Sequence, residues 1–292
     1  MIILMVKTPK PLSYRLLRHS LKASCLSFKT TRELKRLGHY VGQERARAAL
    51  QFGLSVQHAG YHLYAMSTPG FGKLDFIKSI VSSYAKKRPT PNDWCYLYNF
   101  KFPEKPLAVS LPPGVGRALQ QSMQSLAEGG RDNLSLINPL KKKYKKYRVI
   151  TQYLTALKKD MSKQANQCVR LEDRTYLSLH PIHVMVDNSE QQGAPVIFEP
   201  SPSHASLIGR MENVVSPSNQ AEQVTFIKPG ALYLANGGYL ILEMRKLKKQ
   251  LAVWERLKNI LYAQAIQIEP SDCVTETAKF MSLTPAPIPL EV

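Results

Sequence analysis

Only four cysteines occur in 292 residues, at Cys25, Cys95, Cys168 and Cys273. No two make a CxxC pair and none stands at zinc-ligand spacing with a histidine, which excludes a zinc ribbon or a disulfide framework. The expectation is reduced thiols in a cytoplasmic protein. Long apolar runs are lacking too. The longest at the N-terminus is Met1–Val6, against the ~20 residues of a spanning helix or the ~7–15 of a secretory core, so no membrane association is expected. Acidic residues are scarce: 21 Asp and Glu face 40 Lys and Arg, a formal net charge of +19. That surplus favours anionic partners such as nucleic acid, acidic protein or phosphate, the alternative being a solvated basic surface. No repeat with a period of ~20–50 residues is visible. What is present, 44% hydrophobic and 21% charged residues, excludes full-length disorder and fits one large domain or two ordinary ones.

Residues 1–36 are basic and weakly patterned, with Pro9 and Pro11, and read as an arm. From Gly42 a helix is expected, with Ala46, Ala49, Leu50, Gly53 and Leu54 on one face and Gly60 as its stop. Tyr61–Met66 reads as a short strand and Ser67–Gly72 as a turn-rich loop. Lys73–Tyr84 returns to helical period through Phe76, Ile77, Ile80, Val81 and Tyr84. Trp94–Phe100 and Leu107–Leu111 read as strands, and Arg117–Ala127 as a helix stopped by Gly129 and Gly130. Leu140–Lys163 is rich in Lys and Tyr; Ile150, Tyr153, Leu154, Leu157 and Met161 give it one narrow apolar helical face. Short strands are expected at His183–Val186, Pro195–Glu199, Val224–Ile227 and Tyr239–Leu242. A helix over Leu251–Ala263, a strand over Ala265–Ile268 and a proline-punctuated tail, Pro285–Val292, follow. Strands and helices alternating on both sides of a basic segment imply an α/β sheet domain.

One segment carries phosphate chemistry, Ser67-Thr68-Pro69-Gly70-Phe71-Gly72-Lys73-Leu74. A P-loop reads G-x-x-x-x-G-K-[ST] between a strand and a helix. Gly70 and Gly72 let backbone N–H groups turn toward phosphate oxygens, and Lys73 stands where it reaches the β- and γ-phosphates. Two parts are missing: Ser67 replaces the first glycine and Leu74 replaces the hydroxyl that ligands Mg²⁺. Asp75 adds a carboxylate beside the phosphates. The competing reading is a glycine-containing turn with an incidental lysine. Farther on, Tyr239–Leu242 is an apolar strand that ends at Glu243, the layout of a Walker-B strand. Glu243 is the acid on the Mg²⁺ side, and Met244 fills the neighbouring place where a Glu would orient water. Weak ATP and Mg²⁺ binding is therefore expected, with little hydrolysis.

These blocks carry a resemblance. Val41–Ala46, Gly60–Tyr64, the loop at Ser67–Lys73 and Lys87–Trp94 resemble the N-terminal AAA+ ATPase module of Lon-like proteases, a group whose P-loop is often degenerate. The likeness continues through Asn99-Phe100, Leu111-Pro112 and Gly114–Leu119. It resumes at Val186–Ser189, Gly193–Pro195, Gly209–Glu212, Pro229–Leu240, Trp254–Lys258 and Ile266–Pro270. It implies an α/β, P-loop type fold with a mostly parallel sheet flanked by helices. It further implies a basic arm over 1–36, a first part of the AAA+ domain over 37–118, a shortened basic helical insertion over 119–182 and a second part over 183–292. The helical lid and the Ser–Lys peptidase domain that follow in the family match nothing in these residues, so no catalytic residue is assigned. The family's activity, ATP-coupled handling of protein substrates by self-associated rings, is what the resemblance implies for partners. Ser203–Ser216 lies where such modules project substrate-contacting loops, or it is an ordinary surface loop.

Two further constellations stand apart. Lys141, Lys142, Lys143, Lys145, Lys146 and Arg148 crowd around Tyr144 and Tyr147. They imply contact with nucleic-acid phosphates while the tyrosines stack on bases, or else a solvated face. A non-enzymatic basic binding module for nucleic acid or an acidic protein is accordingly the alternative function. His180, His183, Asp187 and Glu190 are near one another, but on a strand His183 and Asp187 lie too far apart to hold one metal ion. Trp94 and Trp254 are expected in the core.

Overall fold

A computed structural model describes residues 11–14, 17–18, 20–34, 42–56, 58, 60–68, 70–128, 133–166, 182–216, 219–268 and 283–292. Cys168, Cys273, His180, Pro69 and the stop at Gly129 and Gly130 lie outside the described residues. The chain divides into residues 1–44 and 45–292. In the first unit two 3-10 turns stand at Ala23–Cys25 and Thr31–Glu33. Glu33 closes the second by accepting from the backbone N–H groups of Lys29 and Thr30.

The second unit is organised by one strand. In β1 (Asp93–Leu97), successive side chains point to opposite faces. Cys95 and Leu97 enter one apolar core, and Tyr96 enters the other with Trp94 packed against it. β1 pairs antiparallel with β2 (Leu107–Leu111) on one side and β3 (His183–Val186) on the other. The first core is completed by α3 (Val115–Glu128), α4 (Asn133–Lys143) and α5 (Arg148–Asn166). Their spacing at Leu119, Met123 and Leu126 and at Ile150, Leu154, Leu157 and Met161 gives one apolar stripe per helix.

The second core lies under β4 (Val196–Glu199), α6 (His204–Leu207), β5 (Gly209–Ser216), β6 (Asn219–Pro229), α7 (Ala231–Leu234), β7 (Tyr239–Leu242), α8 (Met244–Leu247) and α9 (Leu251–Ala263). β8 (Ala265–Ile266) and β9 (Ile288–Pro289) bring Ile266, Ile288 and Leu290 into the same core. Trp254 packs against it, half-buried.

The fold is thus mixed α/β, and it differs from the expected mostly parallel sheet. Among the described residues only β4 and β7 run parallel, in register Val196 to Tyr239 through Glu199 to Leu242. The three-stranded sheet, the β5–β6 hairpin and the β8–β9 pair are antiparallel. Short links force this: β1 reaches β2 across 98–106, too few residues for the crossover that a parallel pair needs. Two further differences matter. Tyr61–Met66 makes no ladder and leaves Tyr61, Leu63, Tyr64 and Met66 exposed. Leu140–Lys163 is not one helix but parts of two, because the chain turns at 144–147. Ser203–Ser216 is ordered as α6 and a hairpin strand. No helix among the described residues is long and apolar enough to cross a membrane.

Candidate functional site

The helix that carries the phosphate-binding signature starts where the glycines allow it. α1 (Glu44–Ser55) precedes it, burying Gly53 and Leu54 while Ala46 and Ala49 are exposed, so its apolar face is narrower than the expected stripe. The chain then runs through 60–68 into the loop. Gly70 has φ +88° and Gly72 φ +63°, both left-handed, a conformation that a side chain makes costly. Gly72 caps α2 (Lys73–Ala85), and the Phe76 N–H donates to the Gly72 carbonyl at 3.0 Å, closing the first helical turn. Lys73 is the first helical residue and is exposed; its Nζ reaches the Ala65 carbonyl at 3.5 Å. A Cβ on Gly70 would meet nothing within 4 Å, so the space outside the turn is open.

α2 is fastened to the parallel pair. Lys78 Nζ lies 4.1 Å from the centre of the Phe198 ring on β4. In the stripe read for this helix only Val81 is fully buried; Phe76, Ile77, Ile80 and Tyr84 are half-buried. β7 begins from a tight approach: the Tyr239 N–H donates to the Pro195 carbonyl at 2.8 Å. A Cβ on Gly238 would collide with that oxygen, so glycine is required there. Glu243 follows at the carboxyl end of β7, exposed, 3.3 Å from Lys246 Nζ, which also donates to the Pro200 carbonyl at 2.7 Å. Glu199 ends the adjacent β4 and accepts from the Ser201 N–H at 2.8 Å. Carboxyl ends of parallel strands are where open α/β sheets bind ligands.

Lys73 and Glu243 do not contact each other; each has its own partner. The donor set fits one half of a nucleotide site. Amide N–H groups at the start of α2, the left-handed turn and an exposed ammonium suit phosphate. The metal half fits poorly: Leu74 offers no oxygen, Asp75 stands in the first turn of α2, and Lys246 neutralises Glu243. Glu199 and Lys246 were not among the expected site residues. Lys246 meets Glu243 locally, three residues on in α8, whereas Glu199 is set opposite Leu242 only by the β4–β7 pairing.

The basic segment is distributed differently from its expected role. Lys142, Lys143, Lys145, Lys146 and Arg148 are exposed and Lys141 half-buried. Tyr144 is buried at 3% exposure, its hydroxyl 3.3 Å from that of Ser122, and Tyr147 packs against the first core. Neither ring is free to stack on a base: the apolar demand of the helical core takes them inward. His183, half-buried on β3, has its imidazole pushed down to about 4 by burial. No group of three metal-ligating side chains exists among the described residues.

Comparison with known families gives two matches. A profile described as LonB-like, AAA domain matches residues 192–292, from the approach to β4 onward. A second, described as Lon-like LonC helical domain, matches residues 93–126, which hold β1, β2 and most of α3. No curated protein matches the chain.

Proposed function

This chain belongs to the Lon-like protease family through those two segments, and on that premise we propose that it is a nucleotide-binding AAA+ module with weak or no ATP hydrolysis of its own. The observation that carries the reading is the turn at Gly70 and Gly72, which delivers the chain into α2 in a left-handed conformation with Lys73 first in the helix. Gly70, Gly72 and Lys73 would hold the β- and γ-phosphates of ATP through amide N–H groups and one ammonium. Glu243, at the end of β7, would face Mg²⁺ once it lets go of Lys246. Mg²⁺, when bound, neutralises charge that develops on the transferred phosphoryl group. Leu74 cannot supply a metal ligand and Met244 cannot orient water, so binding is expected to outlast hydrolysis.

In the family this module handles protein substrates within a self-associated ring, and we assign the chain to that kind of work in the cytoplasm. The working division is an arm over 1–36, AAA+ parts over 37–118 and 183–292, and a helical insertion over 119–182. Equilibrium titration of a fluorescent ATP analogue, with and without Mg²⁺, on the parent chain and on Lys73→Ala tests the proposal. Saturable binding that disappears in the variant, with little gain from Mg²⁺, is expected. Absence of binding at millimolar nucleotide would sink it.

A further inference from the structure

We propose that Asn236-Gly237 is a self-modification site that the segment 288–292 keeps closed, so that release of the segment is recorded as a succinimide and then as aspartate or isoaspartate at 236. It is the one Asn-Gly pair in the sequence. Asparagine is among the thermolabile residues, and a glycine after it leaves the attacking backbone nitrogen unshielded, because glycine has no side chain. The fold has a use for both residues as they stand. Gly237 has φ +78°, and a Cβ there would collide with the Pro91 ring. Asn236 is buried, and its side chain donates one hydrogen bond and accepts another, which no carboxylate can do.

The reaction has three moving parts. The Gly237 nitrogen gives its proton to hydroxide and bonds to the carbon of the Asn236 side-chain carbonyl, whose oxygen takes the negative charge. The bond from that carbon to Nδ2 then breaks, and Nδ2 takes a proton from water and leaves as ammonia. A second water opens the five-membered imide at either of its carbonyls. In the folded chain one segment holds all three parts. The Gly237 N–H donates to the Glu291 carbonyl at 2.8 Å, Nδ2 donates to the Pro289 carbonyl at 2.8 Å, and Oδ1 accepts from the Glu291 N–H at 2.8 Å. The nucleophile therefore keeps its proton, the leaving group is pinned, and the carbonyl cannot swing toward the nitrogen. Ile288 and Leu290 seat the segment in the second core, and the Leu290 N–H donates to the Gln264 carbonyl at 2.8 Å.

The same contacts make the change one-way. Aspartate at 236 has no N–H for the Pro289 carbonyl and sets a charged oxygen against it. Isoaspartate inserts a main-chain carbon before Gly237, where Pro91 leaves no room. Either product bars the segment from reseating. Asn188, also followed by a small residue, Ser189, supplies an internal reference: its Nδ2 is held by the carbonyls of Pro91 and Asn92. The inference does not depend on nucleotide binding at Lys73.

The test incubates the full chain in mildly alkaline buffer and follows position 236 by peptide mass spectrometry, with isoaspartate resolved chromatographically. The urea-unfolded chain sets the unprotected rate, and the folded parent should be slower by about tenfold or more. Ile288→Ala is expected to speed both deamidation at 236 and exchange of the Glu291 amide by one common factor, about tenfold or more. Asn188 and the Tyr96 amide of β1 should not respond. Should Ile288→Ala fail to fold, Ile288→Val carries the same proportionality at about threefold. In the deamidated fraction of the parent, separated by ion exchange, the Leu290 and Glu291 amides should exchange fast. A folded parent that deamidates as quickly as the unfolded chain would overturn the proposal. So would a variant that speeds Glu291 exchange and leaves deamidation at 236 unchanged, or a deamidated fraction with its Leu290 and Glu291 amides still protected.

Discussion

Asp93 holds Asn188 across 95 residues of sequence: its Oδ1 accepts from the Asn188 N–H at 2.8 Å while its Oδ2 accepts from the Gly116 N–H at 3.0 Å. Asn188 returns the favour through Nδ2, which donates to the carbonyls of Pro91 and Asn92 at 3.2 and 3.1 Å. One fully buried carboxylate thus joins the start of β1, the end of β3 and the first turn of α3. Asp93→Ala strands those amide donors in the interior and is expected to cost about 3 kcal/mol. Asp93→Asn keeps the shape but aims an N–H at one of the donors, and should lose a large part of that amount. Urea unfolding of both variants measures it; an unchanged midpoint for Asp93→Ala would show that the link carries no stability.

Acid stability should bend at His183. Burial pushes this imidazole down to about 4, so the fold keeps it neutral, whereas the unfolded chain takes up the proton near the ordinary value of 6.5. The unfolded state therefore binds more protons between those values. Stability is full above about 6.5, falls as pH drops, and the loss is complete below about 4, on the order of 3 kcal/mol. Asp93 acts in the opposite direction near the acid end, because burial raises its carboxyl above 3.8 and protonation there favours the fold. His183→Gln is expected to flatten the decline between about pH 6.5 and 4. A decline of equal steepness in that variant would assign it to other groups.

Tyr144 separates the two readings of the basic segment. Its ring is buried in the first core and its hydroxyl meets Ser122. Tyr144→Phe should lose about 1 kcal/mol of stability and leave any affinity for a labelled nucleic acid unchanged. Tyr144→Ala should lose about 3–5 kcal/mol. A large drop in affinity for Tyr144→Phe, with stability intact, would restore a direct role for the tyrosine in binding.

Which parts of this were legible beforehand follows from what is local. His183–Val186, Tyr239–Leu242 and Leu251–Ala263 appear with the bounds that their patterning implies, because a short apolar run or a period near four settles them within a few residues. Tyr61–Met66 has strand-like alternation too, yet a strand exists only beside a partner, and none is paired with it among the described residues. The break between α4 and α5 falls inside Tyr144–Tyr147, where a run of charge surrounds the two rings that pack into the first core. The left-handed turn at Gly70 and Gly72 into the helix that starts at Lys73 was visible because it is one contiguous segment. The place of Glu199 next to the end of β7 was not, since only the β4–β7 pairing sets it opposite Leu242, whereas Lys246 meets Glu243 locally, three residues on.

The final segment is expected to be part of the fold rather than an appendage, and Asn236 is the residue that tests it. Its Nδ2 donates to the Pro289 carbonyl at 2.8 Å and its Oδ1 accepts from the Glu291 N–H at 2.8 Å, a two-way bridge that is 4% exposed. The Gly237 N–H adds a bond to the Glu291 carbonyl, and Ile288 and Leu290 fill the second core. Asn236→Asp keeps the size and the acceptor but replaces the donor with an oxygen facing the Pro289 carbonyl. The variant loses one buried hydrogen bond and gains a repulsion, an expected cost of about 2–4 kcal/mol. Hydrogen exchange reads the same event locally: the Leu290 and Glu291 amides, protected by Gln264 and Asn236 in the parent, should exchange faster. Unchanged protection at both amides in Asn236→Asp would mean that Ile288 and Leu290 alone hold the segment in place.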